Sequence, residues 1–367
     1  MRFCVIGAGN GGRAFAAYLS SKGYPVNLYN RSFSRIVEIK KKSGIKASGE
    51  LKGHFPINLV TQDLELAVKN VDIILIVVPA SAHKEIAEKI VRYLSHDQII
   101  LLNPGRTFGA AEFRRTLEKK GLSFPIFIGE TQTLLFTSRQ LKKNGVKILK
   151  IKKSIEFAAF PEKDTFFMYD TLKEVFPQLS PVDDYLGMTL NNIGMLLHPT
   201  ISLLNAGAMD SDINFKFYAE GATNRICEVI ENIQIELNRI FQMLGLKQIR
   251  FCIWANKSYG IKKKSIYNAI QSIKAYENIK APNQLITRYF TEDVPTGLVP
   301  ISSLGKFLDI ETPVIDSIIK LSSILCGIDF RKEGRTITGL DLENMIEKRM
   351  ATEELLDLGT QQKVLVK

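Results

Sequence analysis

Residues 2–23 read RFCVIGAGNGGRAFAAYLSSKG, and the class of the fold turns on them. Arg2 to Ile6 is an apolar run of strand length, and Arg13 to Lys22 is helix-like, with Gly23 placed as its C-terminal stop. Between them stands Gly7-Ala8-Gly9-Asn10-Gly11-Gly12. In a strand, turn and helix these glycines have separate tasks. Gly7 permits the tight turn, Gly9 leaves backbone open to a pyrophosphate, and Gly12 lets helix and strand pack closely. The N-terminus of the helix attracts the anion, which makes Gly7, Gly9, Asn10 and Gly12 candidate cofactor-binding positions. A glycine turn that serves structure alone is the competing reading.

Moving outward, the second strand, Pro25 to Tyr29, should end over the adenosine ribose. NAD binding favours an acidic residue there, and the sequence has none. Asn30-Arg31-Ser32 offers a cation and two neutral polar groups instead, which suit a 2′-phosphate, so NADP is the preferred cofactor and NAD the alternative. Against this, Arg31 also reads as an ordinary surface cation.

Strand-like and helix-like stretches continue to alternate through Asn58 to Val60, Val71 to Val78, His83 to Leu94, Gln98 to Leu102 and Pro125 to Ile128. Their continuous β-branched runs are those of strands buried on both faces. Pro79 ends one strand and Asn103-Pro104-Gly105-Arg106-Thr107 follows the next, which puts both loops at the carboxyl edge where ligands sit. The small side chains of Ala80-Ser81-Ala82 would let a nicotinamide pass close to backbone, so Pro79 and Ala80 join the cofactor set. After about residue 185 the alternation stops. The expectation is an α/β Rossmann domain with a doubly wound parallel sheet over residues 1–185 and an all-α domain over 186–367. A helix is expected over Phe217 to Leu244 and a loop over Arg288 to Val299, while the tail from Arg349 carries no clear period.

The chain has 367 residues, 45% of them hydrophobic, enough for two cores. Cys4, Cys227, Cys252 and Cys326 are scattered without a CxxC pair, and no charged segment with a following apolar run opens the chain. Reduced thiols in a cytoplasmic protein are the expectation. No apolar run reaches the length of a membrane span. The net charge of +11 reads as a lysine-rich surface that draws in anionic cofactors and carboxylates. No aromatic-interleaved basic strip accompanies it, which argues against nucleic acid. His54, His83, His96 and His198 are too scattered for a metal motif.

In the second half, residues 191–205 read NNIGMLLHPTISLLN and place His198 in an apolar helical run. A core histidine satisfied by a carbonyl is one reading, and a catalytic acid/base is the other. Asn191 and Asn205 stand seven residues to either side, on the same face of an unbroken helix, although Pro199 should kink or restart it.

Gly7 to Gly12, Asn103 to Thr107, Glu130-Thr131-Gln132-Thr133, His198-Pro199 and Glu292-Asp293-Val294-Pro295 occur in an order that resembles the opine (octopine/nopaline) dehydrogenases. The resemblance implies a Rossmann domain, a helical domain and an active site in the cleft between them. It further implies reductive condensation of an amino acid's amine with a 2-oxo acid such as pyruvate, using NADH or NADPH. That family's catalytic histidine and aspartate match His198 and Asp293, and its carboxylate-binding arginine matches Arg288. Histidine suits the proton transfers of imine formation, and a carboxylate on its other nitrogen fixes the tautomer. Arg106 and Thr107 are candidates for the second carboxylate. The resemblance allows a homodimer. Three other readings stay open: a metallophore-forming member that takes a larger amine, a ketone reductase of the ketopantoate or glycerol-phosphate type, and a non-catalytic NADP sensor.

Overall fold

The computed structural model describes residues 1–353. It divides into two compact units, Met1 to Thr189 and the part from Leu190 onward. In the first unit the strands in chain order are β1 (Phe3–Ile6), β2 (Val26–Tyr29), β3 (Gly44–Gly49), β4 (Gly53–Pro56), β5 (Leu59–Thr61), β6 (Ile73–Ile76), β7 (Ile99–Leu102), β8 (Phe127–Thr131), β9 (Phe136–Gln140), β10 (Gly145–Ile151), β11 (Ile155–Ala159) and β12 (Leu179–Pro181).

Eight of these form one sheet in the order β12-β11-β8-β7-β6-β1-β2-β5. From β5 to β8 every pair is parallel, and the order reverses at β1, as in doubly wound nucleotide-binding sheets. β1, β6 and β7 (FCVI, IILI and IILL) are buried at every position. Each fully buried Ile or Leu among them contributes about 1.5–3 kcal/mol, so these strands cannot tolerate polar substitution. β11 departs from the expected parallel sheet: it runs antiparallel to β8, and β12 then pairs parallel with β11.

A second sheet, β4-β3-β10-β9, was not legible in the sequence. Lysines interrupt the apolar pattern of β3 (GIKASG) and β10 (GVKILKI) because only one face of each is buried. Arg13 ties this sheet to the glycine turn. Its guanidinium is buried and donates to the carbonyls of Ala8 (3.1 Å), Lys143 (2.8 Å), Gly145 (3.2 Å) and Arg35 (2.8 Å).

The division between units falls after Thr189, four residues beyond the expected one, because Tyr185–Leu190 is held by the first unit. The Tyr185 hydroxyl accepts from the Ala111 N–H (3.3 Å), and the Thr189 hydroxyl accepts from that of Phe108 (2.7 Å).

The second unit is helical in its described residues, apart from an isolated bridge between Lys216 and Lys280. The helix expected from Phe217 begins later and spans Asn224–Met243, where the Thr223 side chain caps it by accepting from the Ile226 N–H. The larger correction concerns Arg288 to Val299, expected as a loop. Arg288–Thr291 is α-helical, Val294–Leu298 is a π-helical turn, and Val299–Phe307 continues as α-helix. Pro295 is tolerated in the first turn, where its missing N–H matters least. Gly297 is needed for contact and not for a turn, since a Cβ there would come within 2.5 Å of the Met195 side chain. Arg349 to Glu353 are helical, and the rest of the tail lies outside the described residues. Among the described residues no helix is long and apolar enough to cross a membrane.

Candidate active site

At the carboxyl end of β1 the glycines behave as their spacing predicts. Gly7 has φ +113°, and a Cβ there would run into the Val77 carbonyl; a Cβ on Gly12 would overlap the carbonyl of Gly7. Gly9 meets nothing within 4 Å, so its bare face is open to an approaching group. The turn therefore fits a pyrophosphate at the N-terminus of the helix Asn10–Ser21. The Asn10 side chain is turned to β9, accepting from the Gln140 N–H (2.7 Å), so what it presents toward the turn is main chain.

Asn30 is a latch on this turn: its Oδ1 accepts from the Ala8 N–H (3.0 Å) and its Nδ2 donates to the Ser32 carbonyl (3.1 Å). Ser32 precedes the helix Phe33–Lys41 without a side-chain cap bond. Arg31 is exposed and lies 3.3 Å from Glu85, whose carboxyl is held below its ordinary value chiefly by the Lys89 ammonium. Beyond β6, Pro79 is exposed and Ala80 is buried at the start of a 3-10 turn. His83, where a cofactor contact was left open, is fully buried in the first turn of the helix that follows.

The next two loops along the same edge are built around one carboxylate. Glu130, buried at the end of β8, accepts from the Ala110 N–H (2.5 Å) at the start of the helix Gly109–Lys119 and from the Thr189 hydroxyl (2.7 Å). Gly105 leaves room for it, because a Cβ there would strike the Glu130 side chain. Arg106 and Phe108 both adopt left-handed backbone, φ +64° and +60°. Two such non-glycine residues in one loop cost on the order of 1–3 kcal/mol each, the kind of strain that clusters at ligand sites. Arg106 is half-buried and Thr107 is wholly buried. After β8, the Thr133 hydroxyl accepts from the Lys152 ammonium at 2.6 Å. Burial, and secondarily the charge of Arg106, push the Lys152 amine down to about 8.

In the second unit, His198 lies midway along the helix Ile193–Leu204, which continues through Pro199. Its Nδ1 is 2.8 Å from Asp293 Oδ2, and its Nε2 is 2.9 Å from the Tyr218 hydroxyl. Asp293 immediately precedes the π-helical turn and is 1% exposed. An ionised carboxylate can only accept, so Nδ1 carries a proton and Nε2 of the neutral ring is the acceptor for Tyr218. Burial holds the Tyr218 phenol well above its ordinary value, which keeps it a neutral donor. Tyr289 stacks on the imidazole, with centroids 4.5 Å apart. Arg288 is exposed, 3.9 Å from the buried Glu292, with its guanidinium over the Tyr289 ring.

The two asparagines that flank His198 in sequence are structural. Asn191 accepts from the Ile249 N–H (2.7 Å) and donates to the Lys247 carbonyl, while Asn205 donates to the carbonyls of Ile201 and Gly221. Tyr218 and Tyr289 carry no motif, and sequence reasoning missed both. For Tyr289 the signal was present: as the neighbour of Arg288, it lies one helical turn before Asp293.

Residues 181–326 match the family model described as NAD/NADP octopine/nopaline dehydrogenase, alpha-helical domain, and residues 2–105 match that of the NAD-dependent glycerol-3-phosphate dehydrogenase N-terminus. An octopine dehydrogenase solved with NADH and L-arginine has a similar fold, with a TM-score of 0.74 at 19% identity over 89% of this chain and 90% of that one. A yersinopine dehydrogenase with bound NADP+ gives 0.72 at 13% identity, over 96% and 99% of the two chains. The opine dehydrogenase of Arthrobacter sp. (strain 1C) is 41% identical over 344 residues, which are 94% of this chain and 96% of that protein. Identity of that degree along nearly the whole of both chains means that the protein belongs to the opine dehydrogenase family, NAD(P)-dependent oxidoreductases that act on CH–NH groups.

Proposed function

We propose that this enzyme joins the amine of an amino acid, or of a molecule derived from one, to the carbonyl of a 2-oxo acid such as pyruvate and reduces the imine to a secondary amine, with NADPH as the preferred reductant. The observation that carries the reading is the His198–Asp293 pair, 2.8 Å apart with the carboxylate 1% exposed. That arrangement suits a base that must take and return protons repeatedly.

The chemistry divides among the chain's own residues. His198 Nε2 removes a proton from the ammonium so that the amine can attack, and later returns a proton to the carbinolamine hydroxyl so that water can leave. Asp293 fixes the tautomer and stabilises the imidazolium formed between these transfers. The Tyr218 hydroxyl, 2.9 Å from Nε2, keeps the ring in plane while the substrate is absent. Arg288, exposed and with one distant carboxylate neighbour, offers a planar fork to one substrate carboxylate, and Arg106 belongs to the loop that receives the other. Bound nicotinamide supplies the hydride. NADPH is favoured because no acidic residue ends β2 and because Arg31 can turn from Glu85, whose charge Lys89 already offsets, toward a 2′-phosphate.

The test is NADPH oxidation by the purified protein with pyruvate and a panel of amino acids, alongside His198→Ala. Oxidation that needs both amine and oxo acid and is lost in the variant is the expected result. Oxidation with the oxo acid alone would replace this reading with a ketone reductase.

A further inference from the structure

The nucleotide-binding unit holds a cation that the steps above do not use. Lys152 lies in the short link between β10 and β11, with its backbone N–H on the Leu135 carbonyl (3.0 Å) and its ammonium on the Thr133 hydroxyl (2.6 Å). It is largely buried, and the charge that acts on it is that of Arg106. The carboxylates nearby in the fold have other work: Glu130 binds the Ala110 N–H and Thr189, and Glu156 accepts from the Gln132 amide (3.2 Å). A poorly hydrated ammonium held near a second cation is unfavourable by itself, and a single anion between the two relieves both.

The position fits a ligand. Thr133 follows β8 and Arg106 follows β7, neighbouring parallel strands in which Leu102 is opposite Glu130. Along the carboxyl edge the order is the glycine turn after β1, the Val77–Ala80 loop after β6, then these two loops. A dinucleotide whose pyrophosphate sits at the glycine turn and whose adenosine lies over β2 extends its reacting end in that direction.

We propose that Lys152, together with Arg106 and the Thr133 hydroxyl, forms the subsite that grips the carboxylate of the 2-oxo acid. The assignment rests on the condensation reading given above. A small planar acid whose carboxylate adjoins a carbonyl matches a point charge, a guanidinium fork and a neutral hydroxyl grouped on one edge. Lys152 is then a specificity residue for the oxo acid, distinct from Arg288 in the helical unit.

Lys152→Met keeps the length of the side chain and removes its charge. The expected result is a KM for pyruvate raised on the order of 10- to 100-fold, the loss of one charge-assisted hydrogen bond, with the KM values for NADPH and amine within twofold of wild type. Lys152→Arg should recover most of the loss. The pH profile separates this role from a structural one. Since Lys152 titrates near 8, the wild-type KM for pyruvate should be flat below that pH and rise about tenfold per unit above it, whereas Lys152→Arg should stay flat. An unchanged pyruvate KM in Lys152→Met, or a loss spread equally over all three ligands, overturns the proposal. Calorimetric titration of the enzyme–NADPH complex with oxamate, an unreactive analogue of the oxo acid, reads the subsite without turnover. Binding by wild type that weakens to the same degree in Lys152→Met supports the subsite even if the condensation assay is silent, and absence of oxamate binding to wild type removes it.

Discussion

Asp293→Asn isolates the charge on the imidazole's partner with almost no change of shape. Asp293 is 1% exposed and His198 14% exposed, so solvent screens the pair little. A hydrogen bond to a charged group is worth about 1.5–3 kcal/mol net, and each 1.36 kcal/mol is a factor of ten in rate. Loss of the charge alone should therefore lower kcat by about 13- to 150-fold. A second effect adds to it. The asparagine can turn its NH2 toward Nδ1, which moves the ring proton to Nε2 and converts the base into a donor facing Tyr218. The assay is a single-turnover measurement of NADPH oxidation at saturating pyruvate and amine, with NADPH affinity and thermal midpoint as controls for folding. A variant that keeps kcat within twofold of wild type while binding NADPH normally would refute the role given to the pair.

Two further outcomes follow from the cofactor unit. Arg31→Ala should raise the KM for NADPH about 5- to 20-fold and leave that for NADH nearly unchanged, since a surface guanidinium freed from Glu85 would meet only the 2′-phosphate; steady-state kinetics with both cofactors decide it. Gly12→Ala should abolish NADPH binding in a fluorescence titration and lower the thermal midpoint, because its Cβ would overlap the Gly7 carbonyl; a variant that binds with wild-type affinity would show that the turn can yield.

The main sheet and the nucleotide turn were legible because their signals are local. Residues 7–12 carry their own geometry, and the runs in β6 and β7 could be nothing but buried strands. The second sheet was not, since its strands alternate with lysine and pair across distance, as in Gly145 with Lys46. The His198–Asp293 pair spans 95 residues, beyond the reach of any spacing argument, and entered only through a resemblance of short motifs. Its tyrosine neighbours illustrate the rest. Tyr218 reaches Nε2 because the chain returns past the helix of His198, an outcome of tertiary packing that no residue around position 218 announces. The segment Arg288 to Val299 misled because proline and glycine are turn formers on average, whereas here one sits where a helix begins and the other where two backbones meet.

The π-helical turn has a consequence for insertions and deletions. Such a turn is an α-helix carrying one surplus residue, and each residue of an α-helix advances the phase by about 100°. Arg288 to Phe307 is nearly continuous helix, with the surplus placed directly after Asp293. Removing one residue between Val294 and Leu298 would relax the turn to α-helix and swing Asp293 by that angle relative to the buried helix Val299–Phe307. The carboxylate would leave His198 although every side chain named in the mechanism remained. The length of this segment is thus under tighter constraint than its composition, and descendants that keep the histidine and the aspartate but differ there by one residue would have lost the pair.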